Sequence, residues 1–141
     1  MTIPMLDEIP WRHLHPILVN FSAALIPASF GSDLLGIITR RVSFSHAAWW
    51  MLLYASLITP LTATAGWFWK RQIEAGLPAD VISQHQWIGI SLVFAFITLA
   101  VWRGVLHSRD QKPGVLYLLI AASVVAGLMY EGNLGGRMVF G

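Results

Sequence analysis

The sequence predicts an all-α integral membrane protein: a four-helix bundle with both termini on the same side. Three observations predict it. Of the 141 residues, 56% are hydrophobic and only 11% are charged, against about 45–50% and about 25% in ordinary globular chains. A chain this short leaves a large share of its area outside, so that much apolar surface requires lipid as its solvent, and the mean hydropathy of +0.64 agrees. The apolar residues also fall into four runs, each near the roughly 17–25 residues that cross a hydrocarbon core. Backbone groups in lipid must be satisfied within their own segment, which makes each run a helix.

The first span is expected over 16–38, with Pro16 suited to the first helical position. No basic segment or small-residue cleavage site precedes it, so it reads as a retained span and not a removed signal. The second is expected over 46–68, with Ser45 as its N-cap. The third, over 82–105, follows Pro78 and Asp80. The fourth is short, 114–130, after the breaker Pro113. The Gly-rich stretch Gly132-Asn133-Leu134-Gly135-Gly136 lacks both the strand before and the Lys-Ser/Thr after that a phosphate cradle needs. It reads as a tight turn after the fourth span. No period of 20–50 residues repeats, and residues 1–141 form a single transmembrane domain.

With the face that carries the termini named A and the opposite face B, charge sets the orientation. Face B holds Arg40, Arg41, Arg103, Arg109 and Lys112, with Asp33 and Asp110. Face A holds Arg12, Lys70, Arg71 and Arg137, with Asp7, Glu8, Glu74, Asp80 and Glu131. The cation count favours B as cytoplasmic by one, which puts the termini outside. The seven Trp fit interfacial belts: Trp11, Trp67, Trp69 and Trp87 near A, Trp49, Trp50 and Trp102 near B. Nine Lys and Arg spread along the chain for a net charge of +2, so no basic block suggests nucleic-acid binding. With no Cys, disulfides, thiolate metal sites, covalently attached haem and cysteine nucleophiles are excluded.

Ionisable groups inside a membrane are costly and usually face the bundle interior, which makes them functional suspects. His15 opens the first span and His85 lies about one turn inside the third, both near A. His46 opens the second and His107 closes the third, both near B. His85 and His107 are separated by about 33 Å of helical rise and belong to different layers. At 100° per residue, His15, Ser22, Ser29 and Asp33 share one face of the first span, and His85, Gly89, Leu92, Phe96 and His107 share one of the third. The second span groups His46, Leu57, Pro60 and Thr64. Pro27 and Pro60 are candidate kinks, and Gly66 and Gly127 are candidate close-packing sites.

Two imidazoles from different helices on one side are the ligand set of a b-type haem, and a helix N-terminus disfavours their protonation. His15 with His85 is the better pair for the metal and His46 with His107 the weaker, with Arg137 and Arg12 on the right side for the propionates. Against this, an interfacial His is commonly only a polar anchor, the reading preferred for His13 and for His107 taken singly. Asp33 most simply caps a helix or pairs with Arg40 or Arg41, with a proton relay as the sharper alternative. No Ser/His/acid set gathers on one side, so hydrolysis is disfavoured and the chain reads as an electron carrier or subunit, not a free-standing catalyst.

The opening His15-Pro16-Ile17-Leu18-Val19-Asn20-Phe21, followed by Ala24-Leu25, resembles the start of a bacterial family of small membrane proteins known as domain of unknown function 2231. That family usually opens His-Pro-x-x-Val-His-Phe-Pro. The close, Gly132-x-x-Gly135-Gly136-x-x-Val139, is similar to its Gly-rich end, and His85 stands where a third-helix His is common. The resemblance implies a compact bundle of four membrane helices, and it implies a respiratory or c-type cytochrome context more than a reaction. The chain departs from the pattern at Asn20, where the family has His, and at Ser22, where it has Pro. His15 and His85 are the retained candidates.

Two functions therefore compete. One is a b-type haem protein passing electrons between quinone and a partner on face A, a c-type cytochrome or a larger respiratory complex. The other is a cofactor-free accessory subunit of such a complex, docking through its Trp belts and Gly-lined faces. A proton or metal-ion carrier is a weaker third, for want of a broken-helix pair or an interior carboxylate pair.

Overall fold

A computed structural model describes residues 9–73 and 79–140, so Asp7, Glu8, Glu74 and Pro78 lie outside the described residues. Four helices follow in order: α1 Trp11–Thr39, α2 Val42–Ile73, α3 Ala79–Ser108 and α4 Val115–Phe140. All four are long and apolar enough to cross a membrane. Each neighbour in sequence is a neighbour in space, with α1 against α2 the most extensive contact and α1 against α4 closing the ring. This up-down-up-down order brings the start of α1 and the end of α4 to one side.

The first three helices outrun the expected spans at both ends and the fourth at its C-terminal end, and the excess corrects three details. Pro16 lies inside α1, which already begins at Trp11 after Pro10. Ser45 is in the first turns of α2, not before them: α1 and α2 are joined by Arg40 and Arg41 alone, and Arg40 adopts the left-handed conformation (φ 57°) that ends a helix. The Gly-rich stretch is not a turn, because α4 runs through it to Phe140. That helix continues because Glu131 and Leu134, 9% and 3% exposed, are held inside the bundle.

A second correction concerns which faces point inward. On α1 the buried residues are Ser22, Ile26, Ser29, Asp33 and Gly36, the face that the periodicity selected. On α3 they include Leu92, Phe96, Leu99, Ala100 and Arg103. On α2 the expected face is the wrong one. Leu57 is 61% exposed and Thr64 also faces outward, while Ala48, Leu52, Ala55, Ser56, Thr59, Thr62 and Ala65 are buried. In lipid a Leu gains nothing by turning inward, whereas small residues let backbones approach and hydroxyls find partners between helices. The α1–α2 seam is built this way. Ser22 and Thr59 share a hydrogen bond at 3.0 Å, Ser29 donates to the carbonyl of Ala48 at 2.7 Å, and Gly36 would place a Cβ 3.4 Å from the Ser45 nitrogen. A cluster of Ile26, Leu52, Ala55, Leu92, Phe96, Leu99, Tyr117 and Ala121 fills the centre.

Candidate functional site

Toward face A, all four helices contribute to one polar layer. His15 of α1 donates from Nδ1 to the carbonyl oxygen of Thr62 in α2 at 2.9 Å; a carbonyl only accepts, so that nitrogen carries the proton. The ring rests on Gly66 one turn further along α2, where any Cβ would meet Cε1 at 2.8 Å and Nδ1 at 2.9 Å. Trp69 lies against the same ring at 5.7 Å between centroids. The Gly66 expectation of close packing is met, and what it packs is the histidine.

His85 of α3 faces His15 across the layer, with ring centroids 6.4 Å apart and planes at 87°. Its Nδ1 is 2.9 Å from Oε1 of Glu131 in α4. The separation is that of an ion pair, but the nitrogen is out of line for a hydrogen bond, and Glu131 Oε2 is buried without a partner. Two further glycines make room for these side chains. A Cβ at Gly89 would sit 3.0 Å from Glu131 Oε1, and one at Gly135 would sit 3.4 Å from His85 Cε1. Neither Nε2 of the pair makes a hydrogen bond among the described residues. The two rings thus stand at one depth, each with Nδ1 turned to a protein oxygen and Nε2 uncommitted.

Glu131 is the member that the sequence reading assigned to a loop. Its signal was available: Tyr117, Ala121, Val124, Leu128, Glu131 and Leu134 recur at three- and four-residue steps, the stripe of one helix face. Arg137, expected beside the pair, is on the same end of α4 but exposed. Arg12 is exposed too and donates to Nε2 of exposed His13 at 3.1 Å, an interfacial polar pair as expected for His13.

A second polar layer lies toward face B. Arg103 of α3, fully buried, pairs with Asp33 of α1 through Nε at 3.2 and 3.1 Å and through Nη2 at 2.9 Å. Nη2 also donates to the carbonyl and the hydroxyl of Ser45 in α2, at 2.9 and 2.7 Å. This corrects the expected partner of Asp33: Arg40 and Arg41 are exposed beyond the end of α1, while Arg103 continues the buried stripe of α3. Nη1 of Arg103 is buried without a partner.

The other histidine pair also meets. His46 and His107 have ring centroids 5.2 Å apart at 85°. His107 stacks on Trp49 at 5.6 Å, whose indole fills the notch at Gly104. Among the described residues, no group of three His, Cys, Asp or Glu side chains is placed to hold a bare metal ion.

A family model described as "Predicted membrane protein (DUF2231)" matches residues 12–141. No curated protein matches the chain, and no solved structure does.

Proposed function

The chain belongs to the DUF2231 family of predicted membrane proteins, and we propose that within it this protein is a small electron-transfer protein or subunit. In this reading His15 and His85 would hold one b-type haem through their uncommitted ring nitrogens. The observation that carries it is the pairing of His15 with His85: imidazoles from two helices, 6.4 Å apart between centroids with planes at 87°.

The donor chemistry fits as well. Metal-ligating histidines commonly direct the other ring nitrogen to a carbonyl or carboxylate, which fixes the tautomer and the ring. Thr62 accepts a hydrogen bond from His15 Nδ1, and Glu131 brings a carboxylate oxygen to 2.9 Å from His85 Nδ1 without one. Bound haem supplies a one-electron carrier whose potential depends on ligand identity and burial. The chain's own part is to hold the two nitrogens, orient them from behind, and keep water out with Trp69 and the bundle. Arg137, exposed at the same end of α4, is the cation that would meet a propionate in this reading.

On this reading the protein sits in a bacterial inner membrane with its termini periplasmic, and it exchanges electrons with quinone and with a c-type cytochrome or respiratory complex on face A. The test is a reduced-minus-oxidised absorption spectrum of protein purified from haem-replete cells. Reducible b-type bands, lost in both His15→Ala and His85→Ala while helicity is kept, are expected. A colourless, iron-free preparation would overturn the reading and leave the accessory-subunit alternative in force, with co-purification of a larger complex as its own test.

A further inference from the structure

The lipid-facing side of α1 carries a polar group that the fold does not use. Asn20 is exposed and makes no hydrogen bond among the described residues. It lies five residues from the midpoint of the 29-residue α1, about 8 Å along the axis, well inside a hydrocarbon core about 30 Å thick. The exposed Ser and Thr side chains at comparable positions are satisfied by their own helices. Thr64 donates to Pro60, Ser91 to Trp87, Thr98 to Phe94 and Ser123 to Leu119. A carboxamide has two donors and an acceptor, and lipid offers no partner for any of them.

A second group, without its regular helical donor, lies one turn away. Pro27 is inside α1 and has no N–H to give the carbonyl of Ala23, four residues earlier. Asn20, Ala24, Pro27 and Gly31 fall within about 60° of one azimuth, opposite the buried stripe of Ser22, Ile26, Ser29, Asp33 and Gly36. A Cβ at Gly31 would meet nothing within 4 Å, so this side of the helix is open and narrow in profile. Small residues of this kind let a second backbone come close.

We propose that this face of α1 is a homodimer interface, in which Asn20 of each copy hydrogen-bonds the same residue and the Ala23 carbonyl of the other. A second copy is the occupant because a two-fold axis along the membrane normal brings identical groups together at identical depth. A carboxamide is its own complement, donating and accepting at once. An unrelated helix would have to supply both functions at the same depth independently.

The absence of cysteine allows a direct test by single-cysteine cross-linking in native membranes. Ala24→Cys and Gly31→Cys lie on the proposed face, while Val101→Cys and Leu116→Cys lie on lipid-exposed faces of α3 and α4, at residues 64% and 65% exposed. Disulfides form only where Cβ atoms approach within about 3.5–4.5 Å. Cross-linked dimer is expected for the first two variants and not for the last two, with Asn20→Leu in the same background lowering the dimer yield about tenfold. Equal cross-linking from all four positions, monomers throughout, an unchanged yield with Asn20→Leu, or adducts whose mass shows another protein would each overturn the proposal. None of these outcomes depends on haem.

Discussion

Arg103 and Asp33 close the bundle toward face B as a fork: Nε and Nη2 of the guanidinium both reach the carboxylate, with the two side chains 0% and 1% exposed. Removing one partner leaves a buried charge with no counter-ion. Asp33→Asn or Arg103→Met alone is therefore expected to cost about 3–5 kcal/mol. The double variant Asp33→Leu/Arg103→Met, which removes both charges, is expected to recover most of that loss. Reversible unfolding in mixed micelles measures both, and equal damage from the double and single variants would show that the pair is not the source of the cost.

The α1–α2 seam predicts a smaller effect. Ser22 and Thr59 bond each other at 3.0 Å, and Thr59 also donates to the Ala55 carbonyl at 2.6 Å. Interhelical hydrogen bonds in membranes average about 0.6 kcal/mol, so a double-mutant cycle of Ser22→Ala and Thr59→Val is expected to give a coupling near that value. A coupling of about 2 kcal/mol or more would mean that the hydroxyl pair, and not the small side chains, holds the helices together.

Glu131 stands behind His85 as an outer partner, and losing such partners typically weakens metal binding about 10–100-fold. Glu131→Leu is expected to raise the dissociation constant for haem by that range while leaving helicity unchanged. Optical titration of the apoprotein reads this directly. Unaltered affinity in a variant that does bind haem would remove Glu131 from the site without touching the assignment of His15 and His85.

The sequence made the architecture legible because lipid leaves few choices: apolar runs of membrane length have to be helices, and an even number returns the chain to its starting side. It also placed His15, Ser22, Ser29 and Asp33 on one face, because several polar residues recurring at helical spacing amid apolar ones mark the inside when the solvent is lipid. What it hid follows from the same physics. Leu57 on α2 looks like core by the habits of water-soluble proteins and is 61% exposed. Arg103 and Glu131 sit near span ends, where a charge is ordinarily interfacial, and only the three-four stepping of the residues before them signals that the buried stripe continues. The glycines of the closing stretch suggested a turn, yet Gly135 is in α4 to admit His85 and Gly89 is in α3 to admit Glu131.

Gly66 gives the sharpest test of how the His15 ring is held. A methyl group there would lie 2.8 Å from Cε1 and 2.9 Å from Nδ1 of His15, closer than side-chain atoms approach, so Gly66→Ala forces the ring to move. Helix propensity alone favours Ala over Gly by about 0.8–1.0 kcal/mol, whereas overpacking a fitted site costs about 1–3 kcal/mol. The second effect is expected to win at Gly66. Gly136→Ala is the matched control, since a Cβ there meets nothing within 4 Å, and it is expected to be neutral or stabilising. Displacing the ring also breaks the 2.9 Å contact of Nδ1 with Thr62, so the nitrogen-15 shift of His15 Nδ1 should move in Gly66→Ala and stay in Gly136→Ala. If Gly66→Ala kept both its stability and that shift, the notch would not be what positions His15, and the depth at which the two imidazoles meet would have to be set by Trp69 and the Thr62 carbonyl instead.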